Sequence, residues 1–334
     1  MMQVWLQNKK YVVDCTTTKM ESLYACLKTP SKEGYEREFF WISGVLLVIV
    51  GFVGLIGNSL SLIILCAEKF RHKVFYNLLI ILTSFDNLFI FTYGIKIGYQ
   101  SMACRENYSY EVGHIAYPLL NVALSGSIYS TVAVSIERYL SVCYPHLKRP
   151  YRKTWIYFSI IGGITFLYNL PRFLERRFYI SNGKLTSEIF PWAKSEVYKY
   201  RYHHWATLLI EDIIPIIVLI ILNGFILKSI CRGTNIVNHC KSRKKNSYAL
   251  TAKILLVIVA IFMICHAPSV AYKILWYFGC MECTDMEKSN FRGKWFFITP
   301  IKKLFLIINS SVNFIVYCIM GEKFRNELSN FIKI

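Results

Sequence analysis

From Ile115 to Ile136 the chain carries no charged residue, and then Glu137, Arg138 and Tyr139 arrive together. A run of that length crosses a bilayer as a helix, for which about 20 apolar residues suffice. The polar segment that follows holds Lys148, Arg149, Arg152 and Lys153, and an excess of Lys and Arg in short loops marks the cytoplasmic side. Glu137 and Arg138 therefore fall where a membrane helix meets water on its basic side. Taken alone, the tripeptide reads equally as an interfacial helix end, with Arg snorkelling, Glu solvated and Tyr in the aromatic belt.

Composition agrees with a membrane chain. Of 334 residues, 54% are hydrophobic and 18% charged, whereas a soluble domain carries about 25% charge. The net charge of +19 would suit a nucleic-acid surface only if gathered on a soluble face. Here much of it lies in short loops between apolar runs, so no nucleic-acid partner is expected. Those loops leave no room for a separate catalytic domain. The start, Met1 to Lys10, lacks the unbroken apolar core of a cleavable signal peptide, and the first membrane helix is expected to act as a signal anchor. The eleven cysteines are scattered rather than set at metal-ligand spacing.

Seven apolar segments are expected. The first runs from about Trp41 to Cys66, where Gly51, Gly54 and Gly57 recur at helical spacing and let another helix approach closely. The second, about Val74 to Tyr99, carries Asp86 in mid-span. A carboxylate in lipid is costly unless satisfied, so Asp86 is either a structural partner of Asn58 or a functional site. The third ends at Glu137-Arg138. The fourth spans about Trp155 to Leu170 and stops at Pro171, and a long aromatic and basic loop follows to Tyr202. The fifth runs from about His204 to Ile230 and contains Glu211, Asp212 and Pro215. The sixth runs from about Ala249 to Phe278, with Pro268 as a kink site, and the seventh from about Trp295 to Met320. Beyond Gly321, Phe324, Leu328, Phe331 and Ile332 share one face, as in a short helix lying on a membrane.

The expected fold is thus an all-α membrane protein, a seven-transmembrane helix bundle with a short amphipathic C-terminal helix. Residues 1–40 form an extracellular segment, 41–320 the bundle and 321–334 the cytoplasmic helix and tail. The N-terminus lies outside a plasma membrane and the C-terminus inside. The glycosylation sequon Asn107-Tyr108-Ser109 then falls on the outer side.

The motifs follow one another in a specific order: Asn58 after Gly57, Leu82 and Asp86, Glu137-Arg138-Tyr139 running on to Pro145, Pro215, Cys265-His266-Ala267-Pro268, Asn313 to Tyr317, and Gly321 to Phe324. Over about residues 40–330 the chain resembles the rhodopsin-like (class A) G-protein-coupled receptors, with His266 where that family has Trp and Phe314 where it has Pro. Leu167 to Glu175 and Ile308 to Phe324 are similar to invertebrate FMRFamide-type neuropeptide receptors, a group in which Phe commonly replaces that Pro. Gly113 stands in place of the family's helix-three Cys, Ile161 in place of its helix-four Trp, and Asn223 in place of its helix-five Tyr. No Cys occurs between Tyr144 and Ile230, so the family's bridge to the second outer loop lacks a partner. Cys280 with Cys283, Cys15 with Cys26, or either of the latter with Cys104, are open pairings, as are free thiols.

The resemblance implies three sites and no cofactor other than an allosteric sodium ion. Sodium would be held by Asp86, Ser127, Asn309 and Asn313, with Asn58 and Ser310 beside them, and binding only the resting state it would shift the population away from signalling. At the inner mouth Glu137 pairs with Arg138 at rest, with Tyr139, Asn223 and Tyr317 assisting, and a heterotrimeric G protein docks beneath. The basic loops touch anionic membrane lipids or are simply solvated. His266 and Pro268 occupy the helix-six toggle.

For the ligand, Leu120 and Ile307 stand where an aminergic receptor wants Asp and a retinal pigment wants Lys. A peptide ending in Arg-Phe-amide would offer a guanidinium to Glu211 or Asp212, a strong charge-assisted pairing. Glu175 is the reserve acid unless Arg172 or Arg176 satisfies it. Tyr117, Asn121, Tyr272, Trp276 and Trp295 would receive the aromatic ring, with Lys303 nearby. Alternatively the two acids face water or Lys303. Two other readings are a chemosensory receptor for a small environmental molecule and a small transporter. The latter would show repeated halves or paired broken helices, and the sequence has neither. No enzyme motif appears at midspan.

Overall fold

The computed structural model describes residues 45–71, 73–102, 111–144, 154–181, 184–236, 243–280 and 298–332. Asn107, Trp295, Cys15, Cys26, Cys104, Cys283 and the side chain of Cys280 lie outside the described residues, so the sequon and the disulfide pairings do too.

Besides two single-turn helices, Glu68–Arg71 and Pro191–Lys194, the helices begin with α1 (Leu47–Leu65), α2 (Val74–Met102), α3 (Glu111–Cys143) and α4 (Thr154–Leu174). A hairpin follows, with β1 (Arg176–Ser181) antiparallel to β2 (Lys184–Ile189) and Arg176 opposite Ile189. Then come α5, wound as a π-helix over Tyr198–Ile213 and as an α-helix over Ile214–Ile236, and α6 (Arg243–Cys280). Last are α7, in two parts (Ile298–Ser311 and Asn313–Met320) inclined at 42°, and α8 (Glu322–Ile332). α1, α2, α3, α5 and α6 are each long and apolar enough to span a membrane, and the two parts of α7 are so together.

The distribution of side chains identifies the solvent. Asn58, Asn77, Asp86, Ser125 and Asn169 are fully buried, whereas Phe52, Phe158, Leu167, Ile220, Ile264 and Ile319 point outward. Large contiguous apolar surface is rare on soluble monomers, and polar groups inside with apolar groups outside suits lipid. α4 falls short of the other helices in apolar composition, but its outward Phe158, Ile160, Ile164 and Leu167 complete the same surface.

α3 is the central helix and contacts α2, α4, α5 and α6. Its approach to α2 depends on Gly126, where a Cβ would stand 2.3 Å from the Phe85 ring. α1 meets α7 through Gly54, where a Cβ would come within 2.5 Å of Ser311 Cβ. The Gly51-Gly54-Gly57 stripe is therefore the seat of α7.

Several expected boundaries shift. α4 continues through Pro171 for another turn, because a proline removes one backbone donor without obliging the chain to leave the helix and Arg172 in that turn is tied to α5. The long loop expected from Arg172 to Tyr202 contains the hairpin of β1 and β2. α5 begins at Tyr198, ahead of the expected His204, and α6 at Arg243, ahead of Ala249.

Candidate functional site

Polar groups meet in three layers along the bundle. In the middle, Asp86 on α2 is fully buried. Ser127 Oγ on α3 donates to its Oδ1 at 2.7 Å, and Asn313 Nδ2 on α7 donates to Oδ2 at 2.6 Å. The Ser310 hydroxyl also lies within hydrogen-bonding reach. One carboxylate thus joins three helices, and these donors replace the hydration it gave up. Asn58 is not its partner: its Nδ2 donates to the Ser310 carbonyl at 2.7 Å. Asn309 makes no hydrogen bond to Asp86 among the described residues. The oxygens of Asp86, Ser127 and Ser310 suit a small cation, while Asn313 presents its amide nitrogen.

At the α8 end, Arg138 is 5% exposed. Its Nε lies 3.2 Å from Glu137 Oε2, and its guanidinium carbon stands 3.5 Å from the centroid of the Phe75 ring on α2. Ser141 Oγ donates to Glu137 Oε1 at 2.8 Å. The expected helpers have contacts of their own. Tyr139 packs against Tyr144 and Phe225, Asn223 Nδ2 donates to the Leu219 carbonyl, and Tyr317 packs against Phe324 of α8. Phe75, which the sequence did not single out, lies against the Arg138 guanidinium.

At the hairpin end the acids are already paired. Arg172 Nη1 donates to Asn169 Oδ1 at 2.6 Å and lies 3.4 Å from Glu211 Oε1, with all three residues buried. Asn169 Nδ2 donates to Ser125 Oγ at 2.8 Å, so a polar chain links α5, α4 and α3. Asp212 Oδ2 accepts a hydrogen bond from Lys273 Nζ on α6. His266 Nδ1 stands 3.7 Å from Asp212 Oδ1, beyond hydrogen-bond length, and its ring stacks on Phe262. The acids thus face cations of the chain itself, and those cations are Arg172 and Lys273 rather than Lys303.

Glu175, between α4 and β1, accepts from the Tyr198 hydroxyl at 2.7 Å and lies 2.8 Å from His203 Nε2. Burial by itself raises this carboxyl, but the bonds from His203 and Tyr198 and the charges of His203 and Arg172 outweigh it and hold it below the usual carboxylate range. Burial and the Glu175 bond push the Tyr198 phenol up. Asn121 donates to the Tyr117 carbonyl on its own helix at 2.7 Å. Tyr117 lies under Lys96 and Tyr272 under Lys302, at 5.1 and 3.8 Å from ring centroid to Nζ. Trp276 is half-buried on α6. Lys96, Lys273 and Lys302 escaped the sequence reading, although a lysine inside an apolar run is itself a signal.

The family model "7 transmembrane receptor (rhodopsin family)" matches residues 57–317. The chain is 32% identical to the FMRFamide receptor of Drosophila melanogaster over 86% of its own length and 53% of that receptor's, so it spans about half of that relative. It is 25% identical to an FMRFamide peptide receptor of Caenorhabditis elegans over 84% of this chain and 67% of the relative. A C-C chemokine receptor type 3 of Macaca fascicularis is 26% identical over 85% and 77%.

Proposed function

The chain belongs to the rhodopsin family of seven-transmembrane receptors, and from that premise we propose that it is a plasma-membrane receptor for an extracellular amidated neuropeptide of FMRFamide type, signalling to a heterotrimeric G protein. Members of this family are receptors rather than enzymes. The observation that carries the ligand class is the 32% identity with the Drosophila FMRFamide receptor, supported by the C. elegans relative. The hairpin end faces outward and α8 lies on the cytoplasmic side, in keeping with the basic loops around Lys69 and Lys148.

In this reading the peptide enters between the hairpin and the outer ends of α3, α5, α6 and α7. Asp212 is the anchor for its guanidinium. Glu211 is a structural tie, because Arg172 and Asn169 close a buried chain around it. A ligand guanidinium at Asp212 competes with Lys273 and so loosens the contact between α5 and α6. A ligand shifts a conformational equilibrium only by its differential affinity for the two states, and this exchange supplies the difference. The resting state is held inside by Arg138 on Glu137 and Phe75. A sodium ion at Asp86, Ser127 and Ser310 would add charge compensation there. Anionic lipids meet the basic inner loops.

The test is second-messenger output from cells bearing the receptor, challenged with a library of amidated peptides. Responses confined to peptides ending in Arg-Phe-amide support the reading, and a library without any active member rejects it.

A further inference from the structure

Among the described residues, the charges at the hairpin end do not balance. Arg172 answers Glu211 and Lys273 answers Asp212. Lys96 on α2 and Lys302 and Lys303 on α7 remain, each half-buried, and none pairs with a carboxylate among the described residues. Lys96 is within electrostatic range of Lys303, and Lys302 is within range of Lys96, Lys303 and Lys273 and also of the Asp212 carboxylate, which Lys273 already holds. Two of the ammonium groups rest on tyrosine faces, Lys96 on Tyr117 and Lys302 on Tyr272, a seat that weakly replaces a counter-ion. Tyr117 is in turn within range of Arg172 and Glu211, so the group faces the bundle interior rather than lipid. Half-buried like charges repel and have lost part of their hydration, and an incoming anion repays both losses.

We propose that Lys96, Lys302 and Lys303 form an anion subsite that takes an acidic side chain of the peptide ligand. This rests on the peptide reading above and adds to it: the ligand carries a carboxylate as well as a guanidinium, seated between α2 and α7 while the guanidinium goes to α5. One peptide then reaches from α5 to α2 and α7.

Two synthetic probes test this, Phe-Met-Arg-Phe-amide extended at its N-terminus by Asp or by Asn. At the native receptor the Asp peptide is expected to be about tenfold more potent, the scale of one charge-assisted contact. In Lys302→Gln/Lys303→Gln the preference for Asp over Asn falls to about parity. Equal potency at the native receptor, or a preference that survives the double substitution, overturns the subsite.

A second measurement needs no peptide. Purified receptor in phosphatidylcholine nanodiscs is melted with sodium succinate and with sodium chloride at matched ionic strength. Succinate raises the melting temperature of the native protein and not that of Lys96→Gln/Lys302→Gln/Lys303→Gln. Stabilisation by succinate with neither peptide active rejects the peptide reading and keeps the anion subsite. Absence of any succinate effect rejects the subsite whatever the peptides do. Adding phosphatidylglycerol leaves the native melt unchanged. A shift that disappears in the triple variant would assign the lysines to a lipid headgroup and overturn the proposal.

Discussion

The guanidinium of Arg138 lies 3.5 Å above the Phe75 ring while Glu137 holds it from the side at 3.2 Å. A cation over an aromatic face contributes about 0.5–2 kcal/mol, comparable to the ion pair. Phe75→Leu and Glu137→Gln are each expected to raise ligand-free signalling by up to about tenfold. G-protein activation without peptide checks this, and a basal level unchanged in both variants would contradict it.

Sodium dependence separates the two roles of Asp86. Agonist affinity at the native receptor is expected to fall as sodium chloride replaces choline chloride, and to become insensitive in Asp86→Asn. A flat native response would reject sodium and leave the hydrogen bonds to Ser127 and Asn313 as the whole function of the carboxylate.

The Asp212–Lys273 contact is open to a double-mutant cycle. Asp212 is buried and Lys273 half-buried, and removing the lysine leaves the buried carboxylate uncompensated. Lys273→Gln is expected to lower the melting temperature clearly, and Asp212→Asn/Lys273→Gln to recover most of the loss. Additive effects would show that the two groups are not coupled.

What could be read from the chain was what lies within one segment. Asp86 shows itself as a lone acid in an apolar run, and Arg138 as a charge at the end of one. Pairings between segments were less visible. Asp212 meets Lys273 across 61 residues, and no periodicity in α5 or α6 announces it. Arg172 could equally have served Glu175 next door, and only the extra turn of α4 beyond Pro171 delivers it to Glu211. The hairpin did carry a local signal, Asn182-Gly183 between two short runs rich in aromatic and branched residues, but the length and basic charge of the segment masked it. The Gly51-Gly54-Gly57 stripe was legible as a contact face, while its partner, Ser311 and Phe314 of α7, was not.

Packing at Gly126 gives a prediction independent of ligand. The Phe85 ring that a Cβ would strike is stacked on Phe158 of α4 with centroids 5.5 Å apart, so it has little room to retreat. Overpacking of this kind costs about 1–3 kcal/mol. Gly126→Ala is expected to lower thermal stability and surface expression. Native-like melting would show that α2 and α3 can separate freely.

Arg138→Ala provides the most direct test that a peptide bound at the hairpin end is read out at the α8 end. Labelled Arg-Phe-amide peptide binding and G-protein activation are measured on the same cells. The expected result is binding close to native with activation abolished. Activation undiminished in the variant would contradict the account.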